Sequence, residues 1–163
     1  MKKVKILLAS FLILNCICLQ AQSKWYVAPL VGVTTMDEKF GFNANLTLGR
    51  YLSDFGKGGR FRADISAGYF GFSENNVYSA AAIFTATDDG TRKFCNSVSM
   101  GFGVQKSENR SKYDFIIPIR ASYGFIRVNN NIWLGPDMTA NLNLSDFLHR
   151  TTITLGFFIG IGM

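Results

Sequence analysis

Histidine, cysteine and proline are scarce in this chain, and each scarcity removes a class of explanation. The 163 residues hold 1 His, 3 Cys and 3 Pro. Cys16 and Cys18 lie in an N-terminal segment with the marks of a secretory leader, so the chain that remains after cleavage keeps Cys95 alone and forms no intramolecular disulfide. One histidine and one cysteine make no zinc set, and neither a phosphate-cradling loop nor a dinucleotide fingerprint is present. Gly101-Phe-Gly103 follows a strand period rather than a nucleotide motif. No catalytic residue, cofactor-binding residue or metal ligand is therefore assigned. Cys95 reads as a small wall residue.

The leader reading rests on three features. Met1 to Lys5 is basic, Ile6 to Leu19 is an apolar run too short to span a bilayer, and Leu19-Gln-Ala21 offers a small residue at the cut. This divides the chain into a signal peptide, 1–21, and one domain, 22–163. A lipidated Cys16 or Cys18 is the lesser alternative, because Asn15 and Ile17 are not small neighbours. Loss of Lys2, Lys3 and Lys5 takes the formal charge from +6 to +3. That excess is scattered, without the basic stripe and interleaved aromatics that nucleic acid would require. No second apolar helical segment follows the leader, so a membrane-embedded form of this chain has to be a barrel.

What the chain does have is alternation. Over Thr151 to Met163 the odd positions are Thr, Ile, Leu, Phe, Ile, Ile and Met, while the even ones are Thr, Thr, Gly, Phe, Gly and Gly. That is a period of two, with one large apolar face and one small face. At ~3.3 Å per residue the stretch is about 43 Å long, enough when tilted to cross the ~25 Å apolar band of an outer-membrane barrel. Eight such segments recur, near 24–36, 40–52, 60–72, 77–87, 94–105, 115–126, 131–143 and 151–163. The apolar face is clear in six of them. The first is apolar on both faces, and the fourth, with Ala80-Ala81-Ala82, fits either register.

The faces opposite carry Asn43, Asn45, Thr47, Arg62, Asp64, Ser66, Ser97, Ser99, Arg120, Ser122, Asp137, Thr139 and Asn141. Of the 17 basic and 11 acidic residues, the strand interiors hold Arg50, Arg62, Asp64, Arg120 and Asp137, and none of these is Lys or Glu. A soluble barrel would turn its polar face to water and stock it with Lys and Glu. Long flexible charges confined to turns fit lipid outside and a packed polar interior. Aromatic residues near strand ends, among them Trp25, Tyr26, Phe40, Phe42, Tyr69, Tyr78, Phe94, Phe115, Tyr123 and Phe125, fit interfacial girdles. Pro118 and Pro136 each predict a bulge or kink, since a closed barrel has no edge on which to place a missing donor.

With this strand count, alternation and leader, the chain resembles the small eight-stranded outer-membrane barrels, such as the transmembrane domain of outer-membrane protein A and its relatives. The resemblance implies an all-β, eight-stranded antiparallel up-and-down transmembrane β-barrel in the outer membrane of a Gram-negative bacterium. Its implied partners are outer-membrane lipid and lipopolysaccharide, with the barrel-assembly machinery during biogenesis. Some barrels of this size are lipid-modifying enzymes that resemble a His-x-Ser pair with a downstream acid. The corresponding pair here is His149 and Thr151, and no Asp or Glu follows Asp146.

Two constellations remain. Arg62, Asp64, Arg120 and Asp137 form an interior charge network, either a proton or ion path or a structural filling of the barrel. The segment 106–114, read as the longest outward loop, offers Lys106, Arg110, Lys112 and Tyr113 as a surface contact for lipid phosphate or a partner protein. Three functions compete: a structural or surface-interaction barrel without an open pore, a lipid-modifying enzyme, and a soluble periplasmic lipocalin-like barrel around an apolar ligand.

Overall fold

The structure, a computed structural model, describes residues 25–55, 59–88, 95–129 and 132–162. The proposed leader, its cut near Ala21, Lys24, Phe94 and Met163 lie outside them. Nine strand segments make the wall: β1 Trp25–Met36, β2 Lys39–Phe55, β3 Gly59–Phe72, β4 Asn75–Thr87, β5 Cys95–Ser107, β6 Asp114–Gly124, β7 Ile126–Asn129, β8 Ile132–Asn143 and β9 Thr152–Gly162. A single helical turn, α1 Phe147–Arg150, precedes β9. β6 and β7 are one stave interrupted at Phe125, whose N–H still bonds Leu134 O at 3.1 Å. The eight staves pair antiparallel with their sequence neighbours, and β9 pairs with β1. The sheet is a closed barrel.

Closure follows from the alternation. Every strand turns one face to a narrow interior and the other outward, and the outward face is the apolar one. Phe42, Ile65, Phe84, Val98, Met100, Phe102, Phe115, Met138 and Leu155 are all exposed, whereas Asn43, Thr47, Arg62, Asp64, Thr85, Ser99, Arg120, Asp137, Asn141 and Thr154 are buried. A water-soluble domain has the opposite arrangement. The two ambiguous strands are now assigned. β1 sends Tyr26, Ala28 and Leu30 inward and Val31 and Val33 outward. β4 sends Val77, Ile83 and Thr85 inward and Tyr78 and Phe84 outward, its alanines alternating between the faces.

The structure corrects the expectation of a bulge at Pro118 and meets it beside Pro136. Around Pro118 the ladder to β5 lapses between Met100↔Ile119 and Gly103↔Ile116, but the register is the same on both sides and pairing with β8 is continuous. The lost donor costs a rung and no bulge. At Pro136 the pairing with β9 is likewise continuous, and the irregularity lies in the neighbouring stave. From Ser122↔Asp137 to Ile126↔Leu134, that stave advances four residues against three on β8. Pro29 shows the same economy, as the ladder to β9 skips from Val27↔Ile161 to Leu30↔Phe158 in constant register. The one bulge in β2 falls at Leu52, between Tyr51↔Arg62 and Ser53↔Phe61.

The aromatic expectation is corrected at Tyr26. Its side chain is 6% exposed and points into the lumen, where it faces charge rather than lipid. Tyr69 stands between Phe42 and Tyr78, with ring centroids 5.4 Å from each, and this outward cluster lies toward the hairpin end of the barrel. Phe125 packs edge-on to Phe157 and stacks on Tyr123. Close approach decides one small residue: a Cβ on Gly49 would collide with the Asp64 carboxylate and come within 2.9 Å of Arg62 Cδ, so only hydrogen fits beside that pair.

Candidate functional site

The interior is built in layers between the end where β1 begins and β9 finishes and the end holding the hairpins 37–38, 73–74, 108–113 and 144–151. Nearest the termini, Arg62 and Asp64 sit two apart on β3, which places both on the inward face. Arg62 Nε reaches Asp64 Oδ1 at 2.5 Å and Nη2 reaches Oδ2 at 3.0 Å, a forked charge-assisted pair. The Thr85 hydroxyl donates to Asp64 Oδ2 at 2.6 Å, and Ser99 Oγ lies 2.9 Å from that hydroxyl. The Arg62 guanidinium carbon stands 3.5 Å from the Tyr26 ring centroid and 5.7 Å from that of Tyr51. A cation taken out of water is thus compensated on its edge by a carboxylate and on its face by a ring.

The next layer spans the lumen. Arg120 on β6 donates through Nε to Asp137 of the adjacent β8, and through Nη1 to Thr47 Oγ1 at 2.9 Å. Thr47 lies on β2, four staves away around an eight-stave ring and so directly opposite. The guanidinium is a crossbar. Asp137 also accepts from Ser122 at 2.6 Å and Thr139 at 2.8 Å, so the carboxylate takes three hydrogen bonds and both its oxygens are engaged. Leu30, Trp133 and Phe158 fill space in the lumen with Cys95. Toward the hairpin end, Thr34 and Thr154 join at 3.1 Å, and Phe70, Phe72 and Val77 pack together with Met36 against them from above. The interior carries paired charges among packed side chains, a geometry that fills a narrow barrel.

The four interior charges anticipated from the sequence therefore meet in two pairs, one along a single strand and one between neighbouring strands. The hydroxyl partners were inward positions by parity, but which hydroxyl meets which charge depends on strand register, and for Thr47 on the ring closing. Tyr26 as the face partner of Arg62 was missed, because a strand apolar on both faces does not reveal its inward side.

At the hairpin end the barrel opens into a cavity of about 260 Å³ to which all four hairpins contribute. Arg150 of α1 donates from Nη1 to Asp114 Oδ2 at 2.6 Å, with Asp146 Oδ2 3.5 Å from its Nε. Gln105 Nε2 donates to Arg150 O at 3.1 Å. On the rim Lys39 Nζ and Glu74 Oε2 are 2.5 Å apart, and the ammonium holds the Glu74 carboxyl below its ordinary range. The contribution of that pair is present above the ordinary carboxylate range and is lost as pH falls through the lowered value. Asp114, Gln105 and Arg150 were not singled out in the sequence. Gln105, a long polar side chain at an inward position of β5, was the available signal.

The segment 106–114 is shorter as a loop than the sequence suggests. β5 continues through Ser107, which makes Lys106 a strand residue and leaves 108–113 as the turn; the connection 144–151 is longer. Lys106 Nζ stands 5.2 Å from the Tyr113 ring centroid, while Arg110 and Lys112 are exposed. Glu108 anchors the turn by accepting from Asn76 at 2.8 Å and Tyr78 at 2.9 Å. The His149 side chain lies outside the described residues. Thr151 Oγ1 accepts from Asn143 N–H at 3.3 Å, which ties that hydroxyl into the connection before β9.

A closed eight-stave antiparallel barrel with an apolar outside and a filled polar inside is the architecture of the small outer-membrane barrel proteins. Solved structures share it. Neisserial surface protein A is similar with a TM-score of 0.65 at 10% identity, over 85% of this chain and 96% of that one. The N-terminal β-barrel domain of Pseudomonas aeruginosa OprF is similar with a TM-score of 0.59 at 14% identity, over 87% and 100%. The outer membrane enzyme PagL is similar with a TM-score of 0.57 at 18% identity, over 85% and 99%. No protein-family model matches the chain, and no curated protein does. At these identities the likeness is one of fold.

Proposed function

We propose that this chain is an integral outer-membrane barrel of a Gram-negative bacterium, without an open pore, whose role is structural or lies in contacts made at its surface. The inversion of polarity carries the reading: a ring of exposed Phe, Ile, Val, Met and Leu surrounds buried, paired Arg and Asp. Lipid is the solvent in which that arrangement is stable. In this reading the chain is delivered by the leader cleaved near Ala21 and inserted by the barrel-assembly machinery. The termini face the periplasm, and the four hairpins face outward. Lys106, Arg110, Lys112 and Tyr113 then lie at the level of lipopolysaccharide headgroups, where exposed cations meet phosphate.

Carbonate washing of isolated outer membranes should leave the protein in the pellet, and detergent should release it. Replacing 109–112 by Gly-Ser should preserve that behaviour and weaken retention on lipopolysaccharide-containing vesicles. Release by carbonate would overturn the integral reading, and undiminished retention would remove the loop from it. The alternative, a lipid-modifying enzyme, draws on the likeness to the outer membrane enzyme PagL, with His149 and Thr151 as its nearest pair. Mass spectrometry of outer-membrane lipid incubated with the folded protein separates the two, since altered acyl content would favour the enzyme.

A further inference from the structure

Unmet hydrogen-bonding capacity at the barrel mouth is concentrated where the cavity is. Gln105 is 2% exposed, and with its Nε2 spent on Arg150 O its Oε1 is buried without a partner. Arg150 Nη2 is also buried without a partner, although Nη1 serves Asp114. Both residues line the cavity, one with an unpaired acceptor and the other with an unpaired donor just beneath its wall. A buried polar atom left unpaired costs about 1–3 kcal/mol, and two in one cavity mark a place where something else supplies the partners.

The chemistry of that occupant is restricted from two sides. Inside the cavity Arg150 is closed on Asp114 and Asp146 and Lys39 on Glu74, Arg110 stands exposed on the turn at its edge, and four carboxylates face three cations, so the enclosed part of the lining holds no cation left over for an anion. Phe72 and Val77 give the lining an apolar patch. A ligand that offers both O–H donor and oxygen acceptor on one edge, a C–H face on the other and no charge is a sugar ring. A volume of about 260 Å³ admits one such ring, or about eight waters at roughly 30 Å³ each.

We propose that the barrel mouth is a binding site for one neutral sugar ring, with a hydroxyl bridging Gln105 Oε1 and Arg150 Nη2 and the ring's C–H face against Phe72 and Val77. The proposal deepens the surface-contact reading and rests on it for location only, because binding itself is measured on isolated protein. Detergent-folded protein is titrated with glucose, galactose, mannose and N-acetylglucosamine and followed by NMR of the Gln105 side-chain amide and the Val77 methyls. At least one sugar should give saturable shifts at both positions. Gln105→Met should weaken binding tenfold or more, while Ser53→Ala, exposed at the far end of β2, leaves it unchanged. Should Gln105→Met not fold, the wild-type amide shift decides alone. Absence of saturable shifts with every neutral sugar overturns the site, as does tighter binding of glucose 6-phosphate or of a tripeptide. Lipopolysaccharide in mixed micelles displaces the free sugar if the ring belongs to a surface glycan, and fails to displace it if the ligand is free. Labelling of Asn109→Cys on intact cells tests the outward location separately.

Discussion

Arg120 shows how one residue sets the character of the interior. Its side chain is 9% exposed, and its guanidinium is bonded on one side to Asp137 and on the other to Thr47 across the lumen, so each removal leaves a different deficit. Asp137→Asn strands a buried cation and should cost about 3–5 kcal/mol, whereas Thr47→Val removes one neutral acceptor and should cost about 1.5–3 kcal/mol. Arg120→Met combined with Asp137→Leu should recover much of the first loss, because an apolar pair needs no compensation. Urea unfolding of the barrel in detergent or lipid measures all three. A double variant as unstable as Asp137→Asn would show that the pair itself, rather than its satisfied state, supports the fold. The positions of Arg120 and Asp137 were readable from alternation, since a charge on the face opposite Phe115, Ile117 and Ile119 has nowhere to go but inward. Their partners were not readable, because Thr47 is 73 residues away along the chain.

At the level of elements, the hairpin between β1 and β2 departs from what its sequence favours. Asp37 and Glu38 have φ of 51° and 62°, so both central residues of a two-residue turn occupy the left-handed region. That is the turn whose twist matches the flanking strands, and it usually holds Asn-Gly. Asp tolerates the conformation through its short polar side chain, while Glu bears the full penalty of about 1–2 kcal/mol. The strands impose this turn, since β1 and β2 pair without a break from Trp25↔Arg50 to Met36↔Lys39. Glu38→Gly should therefore raise stability by about 0.5–1 kcal/mol, the relieved strain less the chain entropy that glycine loses. Unfolding in the same detergent measures it, and a loss would mean that Glu38 contributes contacts worth more than its strain. The prolines make a similar point. Pro29, Pro118 and Pro136 are each accommodated by a missing rung or an adjustment in the neighbouring stave, so the expectation of a bulge at Pro118 failed because a ladder with two sides can lose one bond and keep its register.

For the whole molecule the decisive quantity is the width of the ring. Eight staves enclose a space that side chains fill, and Phe70, Trp133, Phe158, Arg62 and Arg120 occupy it here. Folded protein in a planar bilayer should show no steady conductance of porin size, and the unboiled sample should migrate differently from the boiled one on a denaturing gel. Large stable channels would refute the filled interior. A single gel band at both temperatures would count against a barrel held by its closed ladder.

Local chemistry settled the alternation, the strand number and which face is apolar and outward, because period-two patterning is written residue by residue and a one-residue slip would expose every inward polar group. Closure decided the rest. Which hydroxyl satisfies Asp64 or Asp137, why Tyr26 covers Arg62, and how Gln105, Asp114 and Arg150 come together at the mouth all depend on strands brought side by side by the ring. Distances across a barrel are fixed by strand count and stagger rather than by sequence separation, so Thr47 reaches Arg120 and Thr154 reaches Thr34 only once the sheet has curled round and the last strand meets the first.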